Sequence, residues 1–372
     1  MATAAATTTQ GPPTTAIAAG APDPAKLDAF VGRFLGDVGA LMTAATVLVG
    51  ERLGLWRALA GAGPVDSVEL ARRTGTAERA VREWLAAQAA AGYLDYDPRS
   101  ERYTLPPEQA LVFADETSPA YMMGVFDIAA SVWRDEPRIT ESFRHGRGLG
   151  WHERDACLFC GTERFFRTSY NHQLVQSWLP ALEGVVEKLD VGASVADVGC
   201  GHGASTVIMG RAWPNSRFTG FDYHAASVAT AREAAERAGV ASRVTFETAA
   251  AKEVPTDRGF DLVCLFDCLH DMGDPVGAAA HLRRTLKPDG TLMVVEPMAR
   301  DRVEDNLNPV GRVYYAASTL VCTPASLSQE VGAALGAQAG PTRLTEVLRQ
   351  AGYGRVRTAA ETPFNMVLEA RP

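Results

Sequence analysis

The second half of the chain alternates short apolar runs with helix-length segments. Five runs have the length of strands and are bounded by turn residues: SVADVG, RFTGFD, RVTFETA, FDLVCLFD and GTLMVVEP. Strands that alternate with helical segments indicate a parallel sheet with crossover helices. Two runs near the C-terminus, RVRTAAE and FNMVLEA, are close enough in sequence for an antiparallel hairpin at one edge. The pattern predicts an α/β fold with a doubly wound, mostly parallel, seven-stranded sheet.

The N-terminal part has a different pattern, in which two helices precede two short extended runs. Asp66 or Ser67 can cap a short helix that ends at Gly75. A second helix from about Thr76 has one apolar stripe at helical spacing. The runs YLDYD and RYTL then read as a two-stranded wing. We predict a helical winged-helix domain over residues 26–113.

The remaining segments complete the predicted organisation. Residues 1–25 are dominated by Ala, Thr, Pro and Gly, and we expect a disordered tail there, not a signal peptide. Residues 114–185 contain aromatic-rich helical segments, which predict a helical connector that covers a pocket. The sheet domain is predicted over residues 186–372. Within it, the long excursion at about 297–340 is expected to form a lid at the carboxyl edge of the sheet.

Charge and composition narrow the class of partner. The formal net charge is -8, so no bulk positive field exists to hold a phosphate backbone or an anionic lipid surface. In the second helix of the winged module, Arg79 and Arg82 are balanced by Glu78 and Glu83, which favours dimerisation or pocket covering over DNA binding. The apolar stretch at 40–50 is shorter than the roughly 20 residues of a membrane span, and we expect a buried helix there.

Cysteine usage indicates the compartment. The chain has six cysteines, most of them inside apolar runs such as LVCLFDCLH, which is typical of free thiols in a reducing, cytoplasmic setting. Cys157 and Cys160, with His152 upstream and His172 downstream, resemble a metal-ligand pattern but lack the second pair of ligands that structural zinc sites use. We therefore predict no metal.

The stretch VADVGCGHGAST carries the most information about chemistry. Gly199, Gly201 and Gly203 lie between an apolar strand and a helix, where a ligand approaches the backbone and helix amides face it. Asp222 ends the next strand, and an acid at that place can accept hydrogen bonds from both hydroxyls of a ribose. Together these residues predict a site for an adenosine-bearing cofactor at the carboxyl edge of the sheet.

Nicotinamide dinucleotides and S-adenosylmethionine both fit that geometry. The spacing here is G-x-G-x-G with Asp197 two residues upstream, not the dinucleotide pattern G-x-G-x-x-G, and this favours S-adenosylmethionine. The successive segments VADVGCGHG, FDYH, FDLVCLFDCLHDMGDP and LRRTLKPDGTLMVVEP resemble the motifs of class I S-adenosylmethionine-dependent methyltransferases, with a Rossmann-like sheet. The order of winged helix and sheet is similar to that of small-molecule O-methyltransferases.

The resemblance implies specific roles in holding the cofactor. Asp197 and the glycine turn would bind the methionine end and Asp222 the ribose, while Tyr223 or His224 would lie along the adenine. Phe266 and Asp267 would lie beside the transferring methyl group, with Asp267 as a catalytic candidate. Ala250 stands where the family commonly has an acid for the adenine amino group, so that contact is expected from a backbone group, from the neighbourhood of Lys252, or not at all.

The segment LHDMGDP follows the fourth strand directly. In plant and bacterial O-methyltransferases a similar segment, His-Asp followed by an aromatic and an acidic residue, supplies the general base, so the resemblance implies His270 as the base although Met272 replaces the aromatic residue. The alternative is a helix-start histidine bonded to nearby backbone. Asp271 and Asp274 either orient the imidazole or cap the next helix ahead of Pro275, and capping is favoured.

Candidates for the acceptor site come from the connector and the lid. Tyr170 and His172 precede the sheet, where related enzymes place a helix over the cofactor, and core packing or surface exposure is the alternative. Asn308, Tyr314 and Tyr315 lie in the predicted lid and either face an acceptor or form dimer or core contacts.

The sequence therefore predicts an S-adenosylmethionine-dependent methyltransferase that acts on a hydroxyl, thiol or amine of a small molecule, as a homodimer formed through the N-terminal module. Methyl transfer is an in-line displacement, so such a protein must align the nucleophile with the methyl group and remove a proton from a neutral hydroxyl. The alternative is an S-adenosylmethionine-sensing winged-helix transcription regulator. An NAD-dependent oxidoreductase is disfavoured by the glycine spacing.

Overall fold

A computed structural model describes residues 22–372. The predicted tail at 1–25 lies largely outside these residues, and within it Pro24 already begins a helix. The helices of the described part are α1 (Pro24–Arg52), α2 (Leu55–Leu59), α3 (Ser67–Thr74), α4 (Glu78–Ala90), α5 (Pro107–Phe113), α6 (Gly124–His145), α7 (Ala156–Ser169), α8 (Val185–Val191), α9 (Ala204–Ala212), α10 (Ala225–Arg237), α11 (Pro275–Thr285), α12 (Pro309–Ala317), α13 (Thr323–Leu327) and α14 (Gly340–Gln350). The strands are β1 (Asp95–Asp97), β2 (Arg102–Thr104), β3 (Ser194–Val198), β4 (Arg217–Asp222), β5 (Val244–Thr248), β6 (Phe260–Phe266), β7 (Leu286–Pro297), β8 (Arg355–Glu361) and β9 (Asn365–Arg371).

The predicted seven-stranded sheet is confirmed. Its strand order is β5-β4-β3-β6-β7-β9-β8, in which β3 to β7 are parallel and the hairpin of β8 and β9 joins β7 in the antiparallel sense. The middle strands are continuous apolar runs because helices cover both faces of the sheet. On one face α9, α10 and the segment Tyr170–Trp178 form the core, and on the other α11 and α14 do so.

The predicted winged helix is also confirmed. The Asp66 carboxylate caps α3 by accepting from the Glu69 N–H at 2.8 Å, and Gly75 ends the helix in the left-handed conformation. Strands β1 and β2 pair antiparallel as the wing. The apolar stripe of α4, with Trp84 at its centre, packs into a core of its own.

Helix α1 differs from the expectation of a short buried helix over residues 40–50. It runs for 29 residues, and only Val47 and Gly50 are buried. Within residues 22–372 it is the one helix that is long and apolar enough to cross a membrane, judged by length and composition alone. The argument from segment length against a membrane span is therefore wrong for this helix, because the helix extends well upstream of the apolar run that the sequence displays.

The connector consists of α6 and α7, which cross with their backbones in contact. A Cβ on Gly124 would lie 2.5 Å from the Phe165 nitrogen, and a Cβ on Gly161 would lie 2.8 Å from the Ile128 nitrogen. Helix α7 continues into a π-helical segment, Tyr170–Trp178. The excursion after β7 is largely helical and includes α12, a second π-helical segment at Ser318–Cys322, and α13. The predicted domain boundaries remain predictions.

Candidate functional site

The glycine turn between β3 and α9 has a backbone that other residues adopt with difficulty. Gly199 and Gly203 have φ angles of 76° and 80°, in the left-handed region that favours glycine. A Cβ on Gly199 would lie 2.8 Å from the Cys268 sulfur, and one on Gly203 would lie 2.6 Å from the Phe246 ring. The turn therefore packs against β5 and the end of β6 with no room for side chains.

The Asp222 carboxylate is held by the backbone at the end of β4. Oδ2 accepts from the Gly201 N–H at 2.9 Å, and Oδ1 accepts from the His224 N–H at 2.8 Å. Each oxygen keeps a further acceptor position, and the residue lines the main cavity. Burial raises the pKa of Asp222, while the two backbone donors oppose that rise. This carboxylate is thus preorganised to accept two hydrogen bonds from a ligand.

The Asp197 carboxylate lies beneath the glycine turn. Oδ2 accepts from the hydroxyls of Ser205 and Thr206, both at 2.6 Å, which fixes the first turn of α9. Oδ1 is buried and has no hydrogen-bond partner. Burial raises the pKa of Asp197 to about 6, despite the two hydroxyl donors. The residue does not line the cavity, because its side chain turns inward to these hydroxyls instead of outward to a ligand.

The main cavity has a volume of about 360 Å³ and lies at the carboxyl ends of β3, β4 and β6. Six carboxyl groups line it, on Glu163, Asp222, Asp267, Asp271, Asp274 and Glu330. The one cationic side chain in the lining, Lys252, is paired with Asp274 at 2.5 Å. The remainder of the wall is largely aromatic and aliphatic. An apolar cavity with surplus negative charge suits a cationic ligand with a flat ring system.

Asp267 sits at the floor of this cavity, directly after β6. Its φ of 50° is uncommon for a residue other than glycine. Oδ1 accepts from the Asn365 side-chain amide at 2.9 Å, and Oδ2 lies 3.4 Å from the Tyr170 hydroxyl. Burial and the neighbouring Glu296 raise the pKa of Asp267 well above its usual range. The strained backbone and the two donors aim one half-buried carboxyl group into the cavity.

Helix α7 forms the wall opposite the glycine turn. Phe159, Thr162, Glu163 and Phe166 face the cavity, and Tyr170 continues the same face into the π-helical segment. The Phe159 ring stacks on His224 at 4.7 Å between centroids. The wall is therefore built on a single helix face.

Comparison with known proteins identifies the two parts of the chain. Residues 189–352 match the family described as "Methyltransferase domain", and residues 40–114 match "Rv2258c-like winged HTH domain". The chain carries a methyltransferase domain. The resemblance drawn from the motifs is confirmed, and the methyltransferase domain contains the glycine turn, Asp222 and Asp267 described above.

Curated relatives match this chain over only part of their own length. The 27-O-demethylrifamycin SV methyltransferase of Amycolatopsis mediterranei is 31% identical over 139 residues, which are 36% of this chain and 51% of that protein. The trans-aconitate 2-methyltransferase of Escherichia coli (strain 55989 / EAEC) is 33% identical over 28% of this chain and 38% of that protein. The chain thus spans about half or less of the length of these relatives.

Solved structures share the fold over nearly the whole chain. Mitomycin 7-O-methyltransferase has a TM-score of 0.66 at 22% identity and covers 94% of this chain and 100% of its own. Human N-acetylserotonin methyltransferase in complex with SAM has a TM-score of 0.69 at 18% identity, with 95% and 99% covered. The fold of this chain, including its N-terminal module, is therefore shared with these proteins.

The structure brings most of the sequence-predicted cofactor residues of the methyltransferase domain to one cavity. These are Gly199, Gly201, Asp222, Tyr223, Ala250, Phe266 and Asp267, together with Tyr170 from the connector. Gly203 lies behind the lining, where it permits packing on Phe246. The Ala250 N–H donates to Glu253 at 3.0 Å, so this backbone donor already has a partner. These roles remain predictions, and the placement of the residues is consistent with them.

His270, the base that the resemblance implies, does not line the cavity. It is buried. Its Nδ1 is hydrogen-bonded to Glu296, and Nε2 lies 3.2 Å from Asp271 Oδ1. Although burial alone would lower it, Glu296 and Asp271 raise the pKa of His270 well above its usual range. The imidazole is held in the interior by its hydrogen bond to the buried Glu296. Asp274, as favoured, caps α11 by accepting from the Gly277 N–H at 2.8 Å.

Four other predicted acceptor residues also lie away from this cavity. Both ring nitrogens of His172 contact backbone carbonyls, those of Thr168 and Thr117, so the ring joins the helix to a neighbouring loop. Asn308 caps α12, and the Tyr314 hydroxyl donates to the Phe364 carbonyl at 2.8 Å. Tyr315 is half-buried on α12 and does not line the cavity. Each of these side chains, apart from Tyr315, has a backbone partner instead.

Several residues that line the cavity were not identified from the sequence. They are Trp151, Phe159, Thr162, Glu163, Phe166, Met272, Gln329 and Glu330. The spacing of Phe159, Thr162, Glu163 and Phe166 is the i, i+3, i+4, i+7 pattern of one helix face, which was the available signal. Asn365, which fixes Asp267, lies at the start of β9 and 98 residues away in sequence. Only the pairing of β9 with β7 brings it to the site.

Proposed function

We propose that the chain is a methyltransferase that transfers the methyl group of S-adenosylmethionine to a hydroxyl, thiol or amine of a small molecule. The observation that carries this proposal is the joint placement of the glycine turn, the doubly held Asp222 and the half-buried Asp267 at one cavity. The methyltransferase family match and the neighbours solved with SAM or SAH support it.

The residues present fit this cofactor. Asp222 offers two free acceptor positions for the ribose hydroxyls, and the space beside Gly201 is open for the methionine end. Tyr223 and Ala250 line the adenine side. S-adenosylmethionine, when bound, supplies an electrophilic methyl group on a cationic sulfonium. The surplus of carboxyl groups in the cavity matches that positive charge.

We assign removal of the acceptor proton to Asp267. It is the carboxyl group at the cavity floor that Tyr170 and Asn365 orient, whereas His270 faces away from the cavity. A buried carboxyl group with a raised pKa is a stronger base, once ionised, than an exposed one. Phe266 and Phe166 line the same cavity. Trp151 packs edge-on against Phe159 of α7 in the cavity wall.

We also propose that two copies pair through α1. Apolar residues follow a heptad spacing along its free face, and each is at least 39% exposed: Leu27, Val31, Phe34, Val38 and Leu41. A helix of 29 residues is about 43 Å long, which is enough for several turns of coiled-coil contact. Such a stripe is costly to leave in water, and a second copy presents the same pattern to it.

The free cysteines and the ion pairs of α4 support the expected compartment and partners. All six cysteines are free thiols, which fits a reducing cytoplasm. On α4 the cations are already paired, Arg79 with Glu83 at 2.6 Å and Arg82 with Glu78 at 2.8 Å. A helix whose cations are neutralised in this way is a poor binder of phosphate, so we propose a structural role for the winged module rather than DNA regulation.

The test is calorimetric titration of the full chain with S-adenosylmethionine and S-adenosylhomocysteine. We expect micromolar binding by the wild type and at least about tenfold weaker binding by Asp222→Ala, because charge-assisted hydrogen bonds contribute about 1.5–3 kcal/mol. Asp289→Asn, an exposed aspartate outside the cavity, is the matched control and should bind as the wild type does. A screen of hydroxyl, thiol and amine acceptors then follows S-adenosylhomocysteine formation. Absence of binding by folded wild type would overturn the proposal.

A further inference from the structure

Three buried side chains that could bind a metal ion lie close together near the cavity floor. His270 and Asp271 follow β6, and Cys322 ends the π-helical segment Ser318–Cys322 of the excursion after β7. One ligand atom from each lies within 4.8 Å of the others, and all three residues are buried. Asp271 also lines the cavity, whereas His270 and Cys322 do not. The fold therefore brings an imidazole, a carboxylate and a thiol from two separate segments to one point.

One carboxylate oxygen of Asp271 is left without a hydrogen bond in this group. Its Oδ2 accepts from the Trp151 indole N–H at 2.9 Å. Its Oδ1 is buried, lies 3.2 Å from His270 Nε2, and has no hydrogen bond. A buried carboxylate oxygen without a partner is costly, and a cation or a well-aligned donor is needed to offset that cost.

Glu296 gives His270 the arrangement that metal-binding histidines have. The Glu296 carboxylate is fixed by the Leu269 N–H at 3.0 Å, and it bonds His270 Nδ1. Metal-ligating histidines commonly donate their second ring N–H to a carboxylate, which fixes the tautomer and leaves the other nitrogen free to ligate. Here the free nitrogen is Nε2, which points to Asp271 and Cys322.

We propose that His270 Nε2, Asp271 Oδ1 and Cys322 Sγ bind one divalent d-block cation, with Zn²⁺ as the ion that this ligand set favours. Nitrogen, oxygen and thiolate sulfur ligands are the set that Zn²⁺ takes in proteins, and three protein ligands leave one tetrahedral position. The inference does not depend on the proposed methyl transfer, since its ligands are separate from Asp222 and the glycine turn.

The charges of the ligands match those of the ion. Metal binding requires the Cys322 thiolate and an unprotonated Nε2 on His270, so the ion displaces the protons that these two atoms would otherwise carry. The thiolate and the Asp271 carboxylate then supply two negative charges against a divalent ion. The nearby cation, the buried Arg154, is 4.0 Å from Asp135 and donates to the Leu320 carbonyl. Asp267 and Glu296 add negative charge from the strand side.

The experiment titrates chelator-treated, full-length protein with Zn²⁺ against a chromophoric chelator, and with Co²⁺ as the spectroscopic probe. We expect one equivalent bound per chain and a near-ultraviolet thiolate-to-cobalt charge-transfer band. Cys322→Ser should lose the band, while Cys160→Ser, an exposed cysteine on α7, should keep it. Glu296→Gln should weaken Zn²⁺ binding by about 10–100-fold, as expected for a carboxylate behind a ligating histidine.

Asp271→Asn provides a second ligand variant of nearly unchanged size in case Cys322→Ser does not fold, with folding checked by circular dichroism. It should bind Zn²⁺ at least about tenfold more weakly than the wild type. The proposal is overturned if folded wild type binds no stoichiometric Zn²⁺ or Co²⁺, or if binding is unaffected in both ligand variants. Cofactor binding measured in the same samples separates failure of the metal site from failure of the methyltransferase proposal.

Discussion

The buried Asp197 makes a prediction about pH and stability that can be worked from its contacts. Its carboxylate accepts from Ser205 and Thr206, but Oδ1 has no partner. Burial raises its pKa from 3.8 to about 6. The folded state therefore binds this proton more tightly than the unfolded state does, and the stabilisation is fully present below about pH 4 and is lost as the pH rises through 6. At about 1.36 kcal/mol per pKa unit, the whole effect is about 3 kcal/mol.

The substitution Asp197→Asn removes the titration while it keeps the shape of the side chain and one oxygen for the two hydroxyls. The free energy of unfolding of the variant, relative to wild type, should rise by about 2 kcal/mol between pH 4.5 and 7.5, the part of the effect that falls in that window. Urea unfolding followed by tryptophan fluorescence measures it, since Trp178 and Trp213 are buried in the same domain.

Asp289→Asn is the control for this experiment. Hydrogen bonding to Lys188 lowers the pKa of the exposed Asp289, so its contribution to stability has the opposite pH dependence. The relative stability of that variant should not rise with pH. A constant difference between Asp197→Asn and wild type across the pH range would refute the reasoning, because it would mean that the Asp197 carboxylate ionises as it does in the unfolded chain.

Two further predictions concern the dimer and the cavity floor. Phe34→Glu places a charge in the apolar stripe of α1 and should convert a dimer to monomers at micromolar concentration, as measured by sedimentation velocity. The control variant Asp28→Asn should remain a dimer. Unchanged association of Phe34→Glu would contradict pairing through this face. Asn365→Ala removes a 2.9 Å hydrogen bond to Asp267 and should lower kcat by about tenfold or more with little change in cofactor affinity, because bonds to charged groups contribute about 1.5–3 kcal/mol. Asn308→Ala, outside the cavity, is its control, and equal loss in both variants would argue against an orienting role for Asn365.

The sheet and the glycine turn could be predicted from the sequence because their signals are local. Each strand is one apolar run, and Gly199 and Asp222 are placed by the strands that precede them. The register of parallel strands then brings the two residues together without any further information. The winged helix could be predicted for the same reason, since Asp66 and Gly75 mark the ends of one helix.

Residues whose position depends on long-range contacts were predicted less well. The resemblance implies His270 as the base, yet the carboxylate that holds it in the interior, Glu296, comes from a separate strand. For Tyr314 an acceptor contact and a core contact stayed open, and only the fold brings its hydroxyl to a carbonyl 50 residues away. Residues 40–50 were expected to be buried, but only Val47 and Gly50 are, because an apolar run looks alike in sequence whether or not the chain covers it.

The close crossing of α6 and α7 has a consequence for how acceptor preference can change. Backbone contact at Gly124 and Gly161 fixes the position of α7 against α6. The side chains of Thr162 and Glu163 project from α7 into the cavity and take no part in that contact. Acceptor recognition can therefore diverge among descendants of this chain by single substitutions on the cavity face of α7, while the packing of α7 on α6 is inherited unchanged.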